Sequence, residues 1–275
     1  MPQINASIVL YHNKEEQVLR AMKSFLDTSL SVKLYLVDNS TDDALRHLAD
    51  GDERVEYIFN SANLGYGCGH NRAMRKSLQE GAAYHLVLNP DVYFKRGVLE
   101  TLFEYMKENG DVGNIMPQVR YPNGEIQHLC KLLPTPSDLI LRRFFGSKED
   151  KEKRSELYEL RKSGYDKIMN VPSLSGCFMF LRMSALKEVG LFDENFFMYL
   201  EDTDLNRRIH EKYKTIFYPE VEIVHEYAKE SYKSKKLLAY HIKSAIYYFN
   251  KWGWVFDGKR DEINKNALKE IGCML

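Results

Sequence analysis

The chain has no excess of either charge: 39 Lys and Arg balance 39 Asp and Glu over 275 residues. Nothing global attracts a polyanion such as nucleic acid, so any anion site has to be local. Cysteine is scarce. Cys68, Cys130, Cys177 and Cys273 stand far apart and form no closely spaced metal-binding pair. No stretch reads as a secretory signal, so free thiols in a reducing compartment are expected. No apolar run is long enough to span a bilayer, which excludes an integral helical membrane protein. Internal repeats and low-complexity tracts are also missing. What is present is ordinary: 44% apolar and 28% charged residues, enough for a sizeable core in one large domain or two small ones.

Short β-type runs alternate with helical patterns along the first half. Ala6–Tyr11, Val32–Val37, Val55–Phe59 and Tyr84–Leu88 read as buried strands. Helical periodicity joins the first two, and a Gly-rich turn leads into a helix from about His70 to Glu80. The alternation predicts an α/β fold with a mainly parallel sheet. In such sheets ligands bind outside the carboxyl ends of the strands. Asn13, Asp38, Asn63 and Asp91 all fall just past a strand. Turns also select Asn and Asp, but four in succession suggest a lined crevice. Gly65, Gly67 and Gly69 match neither a P-loop nor a dinucleotide fingerprint. They serve either a tight turn or close backbone approach to a ligand. Asn89-Pro90-Asp91 puts a carboxylate on a Pro-restricted turn, where it can help hold a hard divalent ion.

The second half is organised around Phe196-Phe197-Met198-Tyr199-Leu200-Glu201-Asp202-Thr203-Asp204-Leu205. An apolar, aromatic run ends in three carboxylates where a helix begins. Asp202 or Thr203 caps that helix, or the acids do chemistry; local sequence supports both. Upstream, Gly113–Pro117 reads as a strand, Tyr121–Glu125 as a hairpin-like turn, and 134–163 as a charged surface insertion. Val171–Arg182 reads as a buried strand, and Met183–Val189 as a short helix ended by Gly190. Thr215–Tyr218 and Val221–Val224 read as two strands, with His225, a potential metal ligand, at the end of the second. In the tail, apolar residues recur at helical spacing among lysines. That pattern suits a helix packed on the domain or, alternatively, one touching a membrane surface.

These pieces, in this order, resemble the inverting, GT-A-fold glycosyltransferases of family 2, rhamnosyltransferase-like branch. The matching segments are Ser7–Asn13, Val37–Asp42, Asn63–Gly67 with Asn71, Leu88–Asp91, Ser175–Met179 and Gly190–Leu205. The resemblance covers about Ile4 to His225. It implies a glycosyltransferase domain over 1–230, with a nucleotide-binding half at 1–118 and an acceptor half at 119–230. A helical extension follows at 231–275. It further implies that Tyr11 and Asn13 border the nucleotide and that Asp38 bonds the base. Asn63, Gly65 and Asn71 would shape the nucleotide-sugar pocket. Asn89-Pro90-Asp91 would stand in the place of the Asp-x-Asp motif, with Asp91 and His225 on Mg²⁺ or Mn²⁺. Asp202 would be the general base, with Glu201 the other candidate.

On this reading a sugar moves from a nucleoside-diphosphate donor, dTDP-rhamnose by resemblance, to a hydroxyl of a saccharide, expected to be lipid-linked, in surface polysaccharide synthesis. The setting would be cytoplasmic, at most peripheral to a membrane. Clustering of Glu201, Asp202 and Asp204 is expected to raise one pKa and so improve the base. Two alternatives are a sugar nucleotidyltransferase, whose Gly-rich first loop is missing at Tyr11–Glu15, and a non-catalytic sugar- or partner-binding protein.

Overall fold

The computed structural model describes residues 3–139, 147–226 and 234–272. Its centre is one sheet in the order β3-β2-β1-β4-β8-β6-β9-β5, with β7 paired to β9. The strands are β1 (Ile4–Leu10), β2 (Val32–Asp38), β3 (Val55–Phe59), β4 (Tyr84–Leu88), β5 (Val92–Phe94), β6 (Val112–Arg120), β7 (Met169–Asn170), β8 (Phe178–Arg182) and β9 (Lys214–His225). The pairings give β1, β2, β3, β4, β6 and β9 one direction and set β5, β7 and β8 against them. The sheet is therefore mainly parallel, as the alternation predicts.

Side-chain alternation divides the core. Leu86, Leu88, Phe178 and Phe180 face one side with Ile4, Ile8 and Leu10. There they meet Val18, Met22 and Phe25 of α1 (Glu15–Leu26) and Leu99, Leu102 and Met106 of α3 (Val98–Glu108). Val87, Met179 and Leu181 face the other side, against Met74 of α2 (Tyr66–Glu80), Leu186 of α5 (Met183–Val189) and Leu205 and Ile209 of α6 (Glu201–His210). These are the two faces that a period of two requires.

Several boundaries differ from the sequence reading. Helix α2 starts at Tyr66 rather than near His70, so Gly67 and Gly69 lie inside its first turns. Nothing larger fits there: a Cβ on Gly67 would stand 2.9 Å from Phe192, and one on Gly69 2.8 Å from Val9. The two strands read around Pro219 are one strand, β9, whose register shift against β6 accommodates the proline. The charged region at 134–163 contains α4 (Lys148–Tyr158), started by a Ser147–Asp150 capping box; residues 140–146 of that region lie outside the described residues. The tail forms α7 (Lys235–Trp252) and α8 (Gly258–Ile271), and Ala267 and Ile271 join the main core. The tail reading at 231–233 also falls outside the described residues, as does Cys273. Cys68, Cys130 and Cys177 are free thiols.

One buried polar network was not legible as such. Ser7 Oγ bonds His70 Nδ1 at 2.7 Å and His85 Nε2 at 2.8 Å, and His85 Nδ1 bonds Ser77 Oγ at 2.8 Å. Both imidazoles are fully buried between the sheet and α2. Burial lowers the pKa of His85 to about 3; burial, then His85, holds His70 well below its ordinary value. The unfolded chain therefore takes up these protons first, and stability falls as pH drops from about 6.5 toward 3. Each histidine kept neutral adds a slope of about 1.4 kcal/mol per pH unit. Urea unfolding across that range should show a shallower slope for His85→Gln than for the wild type; parallel slopes would contradict this.

Candidate active site

The carboxyl ends of β1, β2, β3, β4 and β9 and the amino end of β8 meet at one edge of the sheet. Register forces this, because Leu88 pairs with Phe178 and Val92 with His225. Residues just past those strand ends therefore crowd together, although they are far apart in the chain.

Asp38 ends β2 and is buried. Its Oδ1 accepts the Ser40 N–H at 2.7 Å, and its Oδ2 accepts the Tyr57 hydroxyl. Burial, then Asp38, raises the Tyr57 pKa. Tyr11 is exposed beside it, and Asn13 Oδ1 takes the Tyr11 N–H at 2.8 Å. Asn63 Oδ1 accepts the Gly65 N–H at 3.0 Å and shapes the entry to α2. Gly65 has φ +89°, and a Cβ there would lie 2.3 Å from Phe197 O. Its close approach is to the acid-bearing loop of its own chain. Asn71 is buried, and its side chain bonds both the N–H and the carbonyl of Phe192 and the carboxylate of Glu194. It holds the loop that precedes the acids, and its amide is spent on that contact.

Asn89 and Asp91 follow β4. Asp91 Oδ1 is buried with no hydrogen-bond partner and lies 3.4 Å from His225 Nε2, close enough for charge but poorly aligned for a hydrogen bond. His225 Nδ1 bonds Gln127 Oε1 at 3.0 Å, and Gln127 Nε2 donates to His225 O at 2.7 Å. Burial alone would lower the His225 pKa; neighbouring Cys177 and Asp91 outweigh it and push it up to about 10. Among the described residues no group of three or more His, Cys, Asp or Glu converges on a metal position.

The acids open α6. Its N-cap is Leu200, which offers no side-chain cap, so neither Asp202 nor Thr203 occupies the capping position. Asp202 is half-buried; Oδ1 accepts the Thr203 N–H at 2.7 Å and Oδ2 the Gly176 N–H at 2.9 Å. Glu201 is buried, and its Oε2 has no partner. Burial, then the charge of Asp202, raises the Glu201 pKa well above the carboxylate range. The acid whose pKa rises is thus Glu201.

Tyr66 joins the two acidic stations. Its hydroxyl donates to Gly176 O at 2.6 Å and lies 3.2 Å from Asn89 Oδ1. Burial, then Glu201, Asp202, Cys177 and Asp91, raise its pKa well above that of a phenol. One hydroxyl therefore senses Asp91 and Asp202 together. The sequence reading quoted Tyr66 but gave it no role, and Gln127 carried no signal at all.

The acid turn is held from outside by α7. Tyr199 and Leu200 have φ of 71° and 66°, left-handed values that cost non-glycine residues about 1–3 kcal/mol each. Ser244 Oγ donates to Met198 O at 2.8 Å, and Phe196, Phe197 and Tyr199 pack on Tyr247, Tyr240 and His241. Lys251 Nζ and Trp252 Nε1 each reach Asp204 Oδ1 at 2.8 Å, and Arg208 Nε reaches Asp204 Oδ2 at 2.9 Å. Asp204, buried and threefold bonded, is a structural acid.

The profile of Glycosyl transferase family 2 matches residues 7–190. An N-acetylglucosaminyl-diphospho-decaprenol L-rhamnosyltransferase of Mycobacterium tuberculosis is 27% identical over 83% of this chain and 78% of its own. Rhamnosyltransferase WbbL of Escherichia coli is 25% identical over 88% and 90%. Among solved structures, GalNAc-T7 with UDP, GalNAc and Mn²⁺ superposes with a TM-score of 0.61 at 14% identity, over 82% of this chain and 43% of that one. Residues 1–349 of S. aureus TarS superpose with 0.58 at 15% identity, over 98% and 71%. These two structures share the fold. A family match that spans more than half of the chain, together with these relatives, means that the chain belongs to glycosyl transferase family 2 and is a rhamnosyltransferase-like glycosyltransferase.

Proposed function

We propose that the protein is an inverting transferase that moves rhamnose from a nucleoside-diphosphate donor to a hydroxyl of a lipid-linked saccharide, in polysaccharide synthesis at the cytoplasmic face of a membrane. The Tyr66 bridge carries this reading. It ties Asn89, two residues before Asp91, to Gly176, whose N–H holds Asp202. Donor diphosphate and acceptor hydroxyl then lie on either side of one short polar chain. The relatives' rhamnosyl and decaprenol-linked chemistry supports the choice of sugar and carrier.

In the proposed step the acceptor oxygen bonds to the anomeric carbon as the bond to the diphosphate oxygen breaks on the opposite face. The acceptor proton passes to Asp202. Its two backbone bonds fix the carboxylate, and its partial exposure leaves it reachable. Burial and the neighbouring charge of Asp202 favour the protonated form of Glu201, which leaves Asp202 as the base. Asp38, Tyr11 and Asn13 border the nucleotide, and Asn63 and Gly65 set the wall of the donor pocket.

The residues present fit a divalent ion. A buried carboxylate oxygen without a hydrogen bond faces an imidazole whose other nitrogen is already held by Gln127, and a bound cation would displace the proton that Cys177 and Asp91 favour on His225. Asp91 and His225 would hold it jointly with the diphosphate, since Mg²⁺ and Mn²⁺ sites commonly use few side chains plus phosphate oxygens. When bound, the ion offsets charge on the leaving diphosphate.

Asp202→Asn should lower turnover by roughly 100-fold or more while leaving nucleotide-sugar affinity unchanged by calorimetry. Normal turnover would remove Asp202 from the mechanism. Asp91→Ala should weaken dTDP binding in Mn²⁺ by about tenfold or more, the size of one lost charge-assisted contact, read as a smaller ligand-induced thermal shift. An unchanged shift would refute its role at the metal.

A further inference from the structure

The inner face of α7 holds the acid turn; its outer face has no partner among the described residues. Ile242 and Ile246 stand one turn apart on that face and are 45% and 46% exposed. Asn250 continues the stripe, and Trp254 extends it past the helix end by donating from Nε1 to Asn250 Oδ1 at 2.8 Å. Trp254 also packs on Phe249 at 5.2 Å, which fixes its ring at this corner. Val255 and Phe256 follow, 72% and 95% exposed. A fully exposed phenylalanine beside an exposed valine and a half-exposed tryptophan is a costly surface in water.

Charge accompanies the stripe. Helix α7 contains Lys235, Lys236, Lys243 and Lys251 and no Asp or Glu. Lys251 is committed inward to Asp193 and Asp204. Lys235, Lys236 and Lys243 are exposed on the outer side. An apolar stripe with an aromatic corner, flanked by lysines and free of acids, has the chemistry of a helix that lies in a lipid headgroup layer. A protein partner of acidic character would match the lysines but leave Phe256 unsatisfied unless it also brought a pocket.

We infer that the outer face of α7 and the Trp254-Val255-Phe256 corner dock on an anionic phospholipid bilayer, with Phe256 inserted and Lys235, Lys236 and Lys243 at the headgroups. The surface stands on its own chemistry; its use, bringing a lipid-borne acceptor toward Asp202, rests on the proposed transfer. One helix then touches the bilayer on one side and holds the acid turn on the other.

The test is co-sedimentation of the full chain with vesicles of phosphatidylcholine, with and without phosphatidylglycerol. The protein should pellet with the anionic vesicles only, and added salt should release it. Phe256→Ser should lower partitioning by about tenfold, and Lys→Glu at 235, 236 and 243 by at least about fivefold per site. Phe256→Ser should keep the wild-type thermal shift with dTDP and Mn²⁺, which shows that it is folded. Wild-type protein left in the supernatant, or variants that pellet equally well, would overturn the inference. So would a lipid-free dimer by analytical ultracentrifugation that Phe256→Ser dissociates, because the face would then belong to a second copy. Vesicle binding without sugar transfer would leave the docking intact and defeat only the transfer reading.

Discussion

A left-handed turn at Tyr199 and Leu200 governs the geometry of the site. Two successive non-glycine residues with positive φ reverse the chain so that α6 starts with its carboxylates at the strand edge. Such a turn survives only if its surroundings over-determine it. Here they do so from two directions. From the start of α2, Tyr66 N–H bonds Phe197 O at 3.0 Å, and Gly65 leaves room for that carbonyl. From the tail, Ser244 bonds Met198 O, and Leu200 shares an apolar cluster with Tyr248 and Phe249. The acids are consequently coupled to both the Gly65 loop and the C-terminal helix.

The same turn separates the roles of two adjacent carboxylates. Neighbours at a helix start cannot both face one direction. Glu201 turns inward and loses water, which raises its pKa; Asp202 turns toward Gly176 and keeps part of its surface. Two carboxylates adjacent in the chain thus meet different surroundings, one dry and one partly solvated. Asp204, one more residue along, is removed from chemistry by Lys251, Trp252 and Arg208. The buried pair of Arg207 with Asp257, at 2.7 and 2.8 Å, fixes the far side of α6 against the start of α8.

Much of the sheet was legible because each parallel strand is a short apolar run that ends in a polar residue. The edge where the polar strand-end residues gather followed from that pattern. What stayed hidden was contact between distant segments. The Gly-x-Gly-x-Gly run read as either a tight turn or a ligand approach, and nothing in it signalled that its glycines make space for Phe197, Phe192 and Val9. The resemblance implied that Asn71 shapes the pocket, and only the fold reveals that its amide bonds Phe192 and Glu194. Strands β5 and β7 are too short for periodicity to register. Asn5, Ser7 and His85 sit in strands that read as apolar; their network needs α2 laid across the sheet. The tail showed a helical stripe, but not that one face clamps the acids while the other faces outward.

The central claim is that Asp91 and Asp202 border a single diphosphate-sugar site. A crystal structure with dTDP-rhamnose and Mn²⁺, solved with Asp202→Asn to prevent turnover, tests it most directly. The account predicts Mn²⁺ bonded to Asp91 and to the diphosphate, with the anomeric carbon lying between that ion and residue 202. A diphosphate seated elsewhere, or a sugar directed away from residue 202, would contradict it.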